Sequence, residues 1–190
     1  MSKKILVVSG SPKKDGNTAA LIEWFAEGAR SQGADVTVVR AASLHYKFPG
    51  CTSCRSCQNS EDYQCVIEDD ARTVLGKMAQ ADVTVMATPL YFFAASAQLK
   101  IVIDRMFSLY KWDNAAGTFT SPLKGKTLVL LASAYEDVGL DALERPLALT
   151  AEYTGMKFRS LLVPNAGVSG ELKTKKGVRE KATALGKKVA

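Results

Sequence analysis

The sequence predicts a doubly wound α/β sandwich, and two observations carry that prediction. Short apolar, β-branched runs alternate with longer amphipathic stretches along the 190 residues, and three of those runs are almost continuously apolar. Strands buried on both faces, as in a parallel sheet covered by helices, have that composition. No internal repeat or Pro/Ser-rich linker interrupts the alternation, so residues 1–190 read as one domain around one core.

The runs Ile5-Leu6-Val7-Val8, Val36-Thr37-Val38-Val39, Val83-Thr84-Val85-Met86, Leu128-Val129-Leu130-Leu131 and Ser160-Leu161-Leu162-Val163 read as the strands. Helical stretches run from Thr18 to Gln32, Asp69 to Gln80, Ser96 to Tyr110, Leu140 to Thr154 and Lys173 to Lys188. Leu21, Ile22, Phe25 and Ala29 recur at the helical period, and so do Leu99, Val102, Ile103 and Met106. Ligands on such folds sit at the carboxyl ends of the strands, near the point where strand order reverses.

The net charge is +6, and residues 171–190 carry +5 of it. That reads as a solvated helix face; with no basic stripe interleaved with aromatics, nucleic-acid binding is not expected. The N-terminus runs into a strand with no apolar leader, and no stretch is long enough to span a membrane. A cytoplasmic protein with reduced thiols is the expectation.

After the first strand comes Ser9-Gly10-Ser11-Pro12-Lys13-Lys14-Asp15-Gly16-Asn17-Thr18. Two glycines permit unusual backbone angles, the hydroxyls of Ser9, Ser11 and Thr18 can donate, and the next helix offers free N–H groups to an anion. Five residues separate Gly10 from Gly16, and Asn17 stands where a Walker loop has lysine; no G-x-G-x-x-G occurs either. The loop therefore suits a terminal monophosphate better than a triphosphate or pyrophosphate. An ordinary strand-to-helix turn capped by Asn17 or Thr18 is the competing reading.

The third strand ends in Thr88-Pro89-Leu90-Tyr91-Phe92-Phe93-Ala94-Ala95-Ser96. Aromatic faces followed by small residues suit a planar heterocycle, although at least one of the three rings is expected to fill core or an interface. Lys100, Asp104 and Arg105 read as helix-surface or ion-pair residues, and the lone His45 as a surface or structural residue.

All four cysteines, Cys51, Cys54, Cys57 and Cys65, fall within fifteen residues. Thiolates this dense have ligand spacing for a metal or iron–sulfur cluster and are too bunched to staple distant parts of a fold. Three of them spaced by two residues can wrap a cubane that Cys65 closes. Zinc, which draws paired knuckles from separated segments, and metal-free thiols near a subunit interface are the other two readings.

Taken together, the Ser9 to Thr18 loop, the cysteine run ending in Val66-Ile67-Glu68-Asp69-Asp70, and Pro89-Leu90-Tyr91-Phe92 through Asp104-Arg105 resemble the NADPH-dependent FMN reductase branch of the flavodoxin-like proteins. Within that branch the chain is most similar to the iron–sulfur flavoproteins, and the likeness extends to Asn165-Ala166-Gly167-Val168. The resemblance implies a five-stranded parallel sheet in order 2-1-3-4-5 with FMN at the switch point. Ser9, Ser11, Gly16, Asn17 and Thr18 would then hold the FMN phosphate, with Lys13 or Lys14 neutralising it. Pro89, Leu90, Tyr91, Phe92 and Phe93 would lie along the isoalloxazine, and the segment with Ser133, Ala134 and Tyr135 would line its other side. It also implies NAD(P)H as co-substrate, a quinone, flavin or other small acceptor, and a homodimer or homotetramer whose subunits complete each other's pocket. Cys51, Cys54, Cys57 and Cys65 resemble the compact motif that ligates a 4Fe–4S cluster, which implies a ferredoxin-like donor; cluster-free relatives also exist.

Overall fold

A computed structural model describes residues 2–190. In chain order the elements are β1 (Lys4–Ser9), α1 (Asn17–Arg30), β2 (Asp35–Arg40), α2 (Asp70–Gln80), β3 (Val83–Pro89), α3 (Ala97–Arg105), β4 (Lys111–Asp113), β5 (Thr118–Thr120), β6 (Thr127–Ser133), α4 (Leu140–Tyr153), β7 (Lys157–Val163) and α5 (Val178–Val189). Five strands form one parallel sheet in the order β2-β1-β3-β6-β7. Because β6 and β7 are the fourth and fifth predicted strands, this is the expected 2-1-3-4-5 order, with the switch between β1 and β3.

Successive side chains of a strand point to opposite faces, and the core divides accordingly. Leu6, Val8, Met86, Leu128 and Leu130 pack against α2, α3 and α4, whereas Ile5, Val7, Val83, Val85, Val129 and Leu131 pack against α1 and α5. Among the described residues no helix is long and apolar enough to cross a membrane.

The structure departs from the sequence reading in three places. The helix expected to Tyr110 ends at Arg105 and tightens into a 3-10 turn over Met106–Leu109. The helix expected from Lys173 starts at Val178, because Gly177 takes a left-handed conformation (φ 78°) that separates it from a 3-10 turn at Glu171–Thr174. A small antiparallel hairpin, β4 with β5, follows α3 and was not foreseen; Phe119 on β5 stacks on Tyr110, which stacks in turn on Tyr153.

Candidate functional site

The carboxyl ends of β1 and β3 are joined by a network of polar contacts. Gly10 N–H donates to Ala87 O (2.7 Å), and Ser96 Oγ donates to Gly10 O (2.6 Å). The Ser96 N–H donates to Thr88 Oγ1 (3.1 Å), while its side chain accepts from Leu99 N–H and so caps α3. Gly10 was expected to supply an unusual backbone angle, but neither it nor Gly16 has a positive φ. Gly10 is required for space: a Cβ there would lie 2.6 Å from both Leu99 Cβ and Ser96 Oγ.

Gly16 is the N-cap of α1 and provides no side-chain cap. The first N–H groups of a 14-residue helix therefore face outward, at the positive end of its dipole. Beside them Thr18 is a buried residue whose hydroxyl has no protein partner among the described residues and opens on the cleft. The Asn17 side chain is engaged away from the cleft anion position. Its Nδ2 donates to Ala166 O (2.7 Å) and Val168 O (2.9 Å), and its Oδ1 accepts from Leu172 N–H (3.3 Å). The side chain is thus a strut that ties the start of α1 to the chain after β7, leaving its backbone N–H for an anion.

These elements enclose an open cleft of about 350 Å³, within the ~300–1,000 Å³ of cofactor sites. Of the residues read from sequence, Ser11, Lys13, Gly16, Asn17, Thr18, Pro89, Leu90, Tyr91, Ser133 and Tyr135 line it. Ser9, Phe92, Phe93 and Ala134 do not. Ser9 is buried at the end of β1, and Ala134 is a backbone bridge, its N–H donating to Val163 O and its carbonyl accepting from Ala166 N–H. Sequence reading did not assign the far wall to the site; it consists of Ala166, Gly167 and Ser169. The Tyr135 ring lies so close over Gly167 that a Cβ there would come within 1.8 Å of it.

Phe92 and Phe93 form a tight turn closed by reciprocal Tyr91 and Ala94 hydrogen bonds of 3.0 and 3.1 Å. Both have positive φ (44° and 64°), a conformation that costs an L-residue ~1–2 kcal/mol. Phe93 packs over Gly139, while Phe92 is 98% exposed. Backbone strain at a fully displayed aromatic beside a cleft is a mark of function.

The cysteines lie elsewhere, at the other end of α3. Cys51, Cys54, Cys57 and Cys65 all line one small void of about 20 Å³, together with Arg105. Cys51 and Cys54 are exposed, and Cys57 and Cys65 are buried. The loop winds through left-handed Ser53 and Arg55, which turns N–H groups toward sulfur. Ser53 N–H donates to Cys51 Sγ (3.4 Å) and Gln58 Nε2 to Cys57 Sγ (3.6 Å). The backbone N–H and hydroxyl of Ser56 hold the Cys54 thiol below its ordinary pKa, while burial pushes Cys57 up. This donor set fits a soft metal or cluster. Among the described residues, however, no three Cys, His, Asp or Glu side chains are gathered closely enough to hold a metal ion, so binding one requires the thiols to draw together.

Arg105, expected as a helix-surface or ion-pair residue, forms an ion pair but a buried one, with Asp69, which caps α2 through Arg72 N–H. Lys100 and Asp104 do form the expected surface pair, one helical turn apart. His45 is exposed beside Asp70.

Comparison with known proteins defines the class first. The fold is that of flavodoxin-like proteins. An FMN-dependent NADH-azoreductase from Bacillus anthracis superposes with a TM-score of 0.77 at 13% identity, covering 99% of this chain and 100% of that one. An NAD(P)H:quinone oxidoreductase from Methanothermobacter marburgensis gives 0.69 at 14% identity, covering 99% and 97%. The chain matches the NADPH-dependent FMN reductase family over residues 3–161 and belongs to that oxidoreductase family. An iron–sulfur flavoprotein of Methanocaldococcus jannaschii is 33% identical over 102 residues, which are 54% of this chain and 51% of that protein. The iron–sulfur flavoprotein of Methanosarcina thermophila is 34% identical over the same shares. The chain thus spans about half the length of these curated relatives. YwqN of Bacillus subtilis, an NAD(P)H-dependent FMN-containing oxidoreductase by name, is 22% identical over 89% of this chain and 88% of its own length.

Proposed function

We propose that the protein is an FMN oxidoreductase in which NAD(P)H supplies a hydride that, with a proton from water, reduces a quinone, a free flavin or another small acceptor. The observation that carries this reading is the cleft: an uncapped helix N-terminus with a free Thr18 hydroxyl at one end, and the Pro89 to Tyr91 strand end facing Tyr135 at the other. These residues fit FMN. The N–H groups of Asn17 and Thr18 and the hydroxyls of Ser11 and Thr18 would take the phosphate, with Lys13 at the rim adding positive charge. Pro89, Leu90 and Tyr91 would support one edge of the ring system, and Tyr135 would close the wall above Gly167. When bound, FMN supplies the hydride chemistry, so the chain's task is to bind, stack and exclude water rather than to provide an acid or base. Phe92, fully exposed next to the cleft-lining Tyr91, offers an aromatic face to a planar acceptor or to a second subunit.

A second reading, an electron carrier that draws on a ferredoxin-like donor through an iron–sulfur centre, is supported by the four thiols lining one void and by the names of the half-length relatives. Steady anaerobic oxidation of NADPH with a quinone separates the two. Turnover supports the oxidoreductase. An FMN-loaded protein that does not oxidise NADPH but is reduced by ferredoxin would overturn it in favour of the carrier.

A further inference from the structure

The Arg105 guanidinium is nearly completely engaged. One terminal nitrogen donates to both Asp69 oxygens (2.7 and 2.7 Å) and the other to Ile67 O (2.9 Å). Of its three nitrogens, Nε alone is buried with no hydrogen-bond partner among the described residues. Buried donors without acceptors are costly and rare, and Arg105 is only 1% exposed. Its guanidinium lies against the Cys65 thiol and shares the void with all four sulfurs. Of the other thiols, Cys51 accepts from Ser53 N–H and Cys57 from Gln58 Nε2. Cys65 has only Arg105.

We propose that Arg105 is a positioning residue of the cysteine site, its Nε–H held by Asp69 and Ile67 so that it donates to the Cys65 sulfur when a soft metal or cluster binds there. The inference rests on the cysteine-site reading given above. It assigns the buried Arg105–Asp69 pair a purpose beyond packing. Four thiolates concentrate negative charge, and a fixed internal cation with a directed N–H offsets it at the sulfur that closes the loop. Asp69 also accepts from Lys47 N–H and caps α2, so the fork is held from both sides of the cysteine segment. Lysine would keep the charge but lose the fork, because its donors diverge from one nitrogen and cannot span acceptors set along separate edges of a planar guanidinium.

The test is a Cd(II) titration of the purified protein, read by thiolate-to-metal absorbance, for wild type, Arg105→Lys, Cys65→Ser and the double variant. FMN content and far-ultraviolet dichroism report folding. The expected result is binding about tenfold weaker in Arg105→Lys, with the double variant no weaker than Cys65→Ser alone. Wild-type affinity in Arg105→Lys, or independent losses that multiply in the double variant, would overturn the proposal while leaving the cysteine site intact. Wild type that takes up no Cd(II) would overturn the cysteine-site reading and the proposal with it. Should Arg105→Lys not fold, ¹⁵N spectra of wild type decide: the Arg105 Nε–H signal moves on Cd(II) loading if the hydrogen bond forms, and an unmoved signal in the loaded protein overturns it.

Discussion

The two ends of α3 serve two differently built regions. At its start, Ser96 joins the helix to Gly10 and Thr88, and the cleft there is made of backbone groups at the ends of regular elements. At its finish, Arg105 reaches across to Asp69 and supports a cysteine loop whose only regular element between Cys51 and Cys65 is one 3-10 turn, Ser56–Gln58. The cleft is positioned by the sheet and tolerates side-chain change in the fold, though not in what it binds. The cysteine loop is held by Gln58 Nε2, which donates to Phe107 O and Tyr110 O, and at its end by one buried charge pair, so removing either charge should disturb fold and site together.

The largest expected effect follows from that contrast. Arg105→Leu leaves the Asp69 carboxylate buried and unpaired, a loss of about 3–5 kcal/mol, measurable as a drop in the urea midpoint. A loss below ~1 kcal/mol, the scale of an exposed ion pair, would mean that the pair does not anchor the loop. At the other end, Thr18→Val keeps shape and burial but removes the free hydroxyl. It should weaken FMN binding by about 1.5–3 kcal/mol, the range for a hydrogen bond to a charged group, with a nearly unchanged urea midpoint. Flavin fluorescence titration checks this, and undiminished affinity would remove Thr18 from the phosphate site.

The Phe92–Phe93 turn sharpens the same comparison, because here the cleft bears a cost in stability. Asn and Gly at these two positions suit positive φ, so Phe92→Asn with Phe93→Gly should stabilise the fold by about 1–2 kcal/mol while lowering FMN retention or turnover. Greater stability with unaltered flavin chemistry would make the strain incidental.

The smallest effect is on acid stability. Burial alone would raise the Asp69 pKa, but hydrogen bonds from Arg105 and from the N–H groups of Lys47 and Arg72 outweigh it and hold the carboxyl below its ordinary value. A folded-state pKa below the unfolded one gives stability that is present above about pH 4 and is lost as the pH falls through the folded value. Asp69→Asn should therefore be less stable at neutral pH and show a flatter decline in urea midpoint between pH 5 and 3. A decline as steep as wild type would assign the acid lability to other groups.

Much of the cleft was legible because periodicity and turn composition are local signals. The apolar runs marked all five sheet strands, and the hydroxyl- and glycine-rich loop marked the start of α1. The far wall at Ala166, Gly167 and Ser169 was not, because it reaches the cleft through long-range holds that no local pattern marks: the Asn17 side chain on Ala166 O and Val168 O, Ser169 Oγ on Asp15 O, and Ala166 N–H on Ala134 O. The burial of Arg105 was hidden for a similar reason: an ion pair was expected there, but its partner is a carboxylate 36 positions away. Two consecutive phenylalanines argue against a left-handed turn, so no local rule could have signalled the one they form. The β4–β5 hairpin is too short and polar to stand out from a loop.

The central claim is that the cleft at the start of α1 holds FMN in reach of NAD(P)H. Its most direct test is an anaerobic visible spectrum of protein loaded with FMN and freed of excess by gel filtration, taken before and after NADPH, for wild type beside Thr18→Val. Retained flavin bands that bleach with NADPH in wild type, with diminished retention in the variant, are the predicted result. Wild type that emerges without flavin, or keeps flavin that NADPH leaves oxidised, would contradict it.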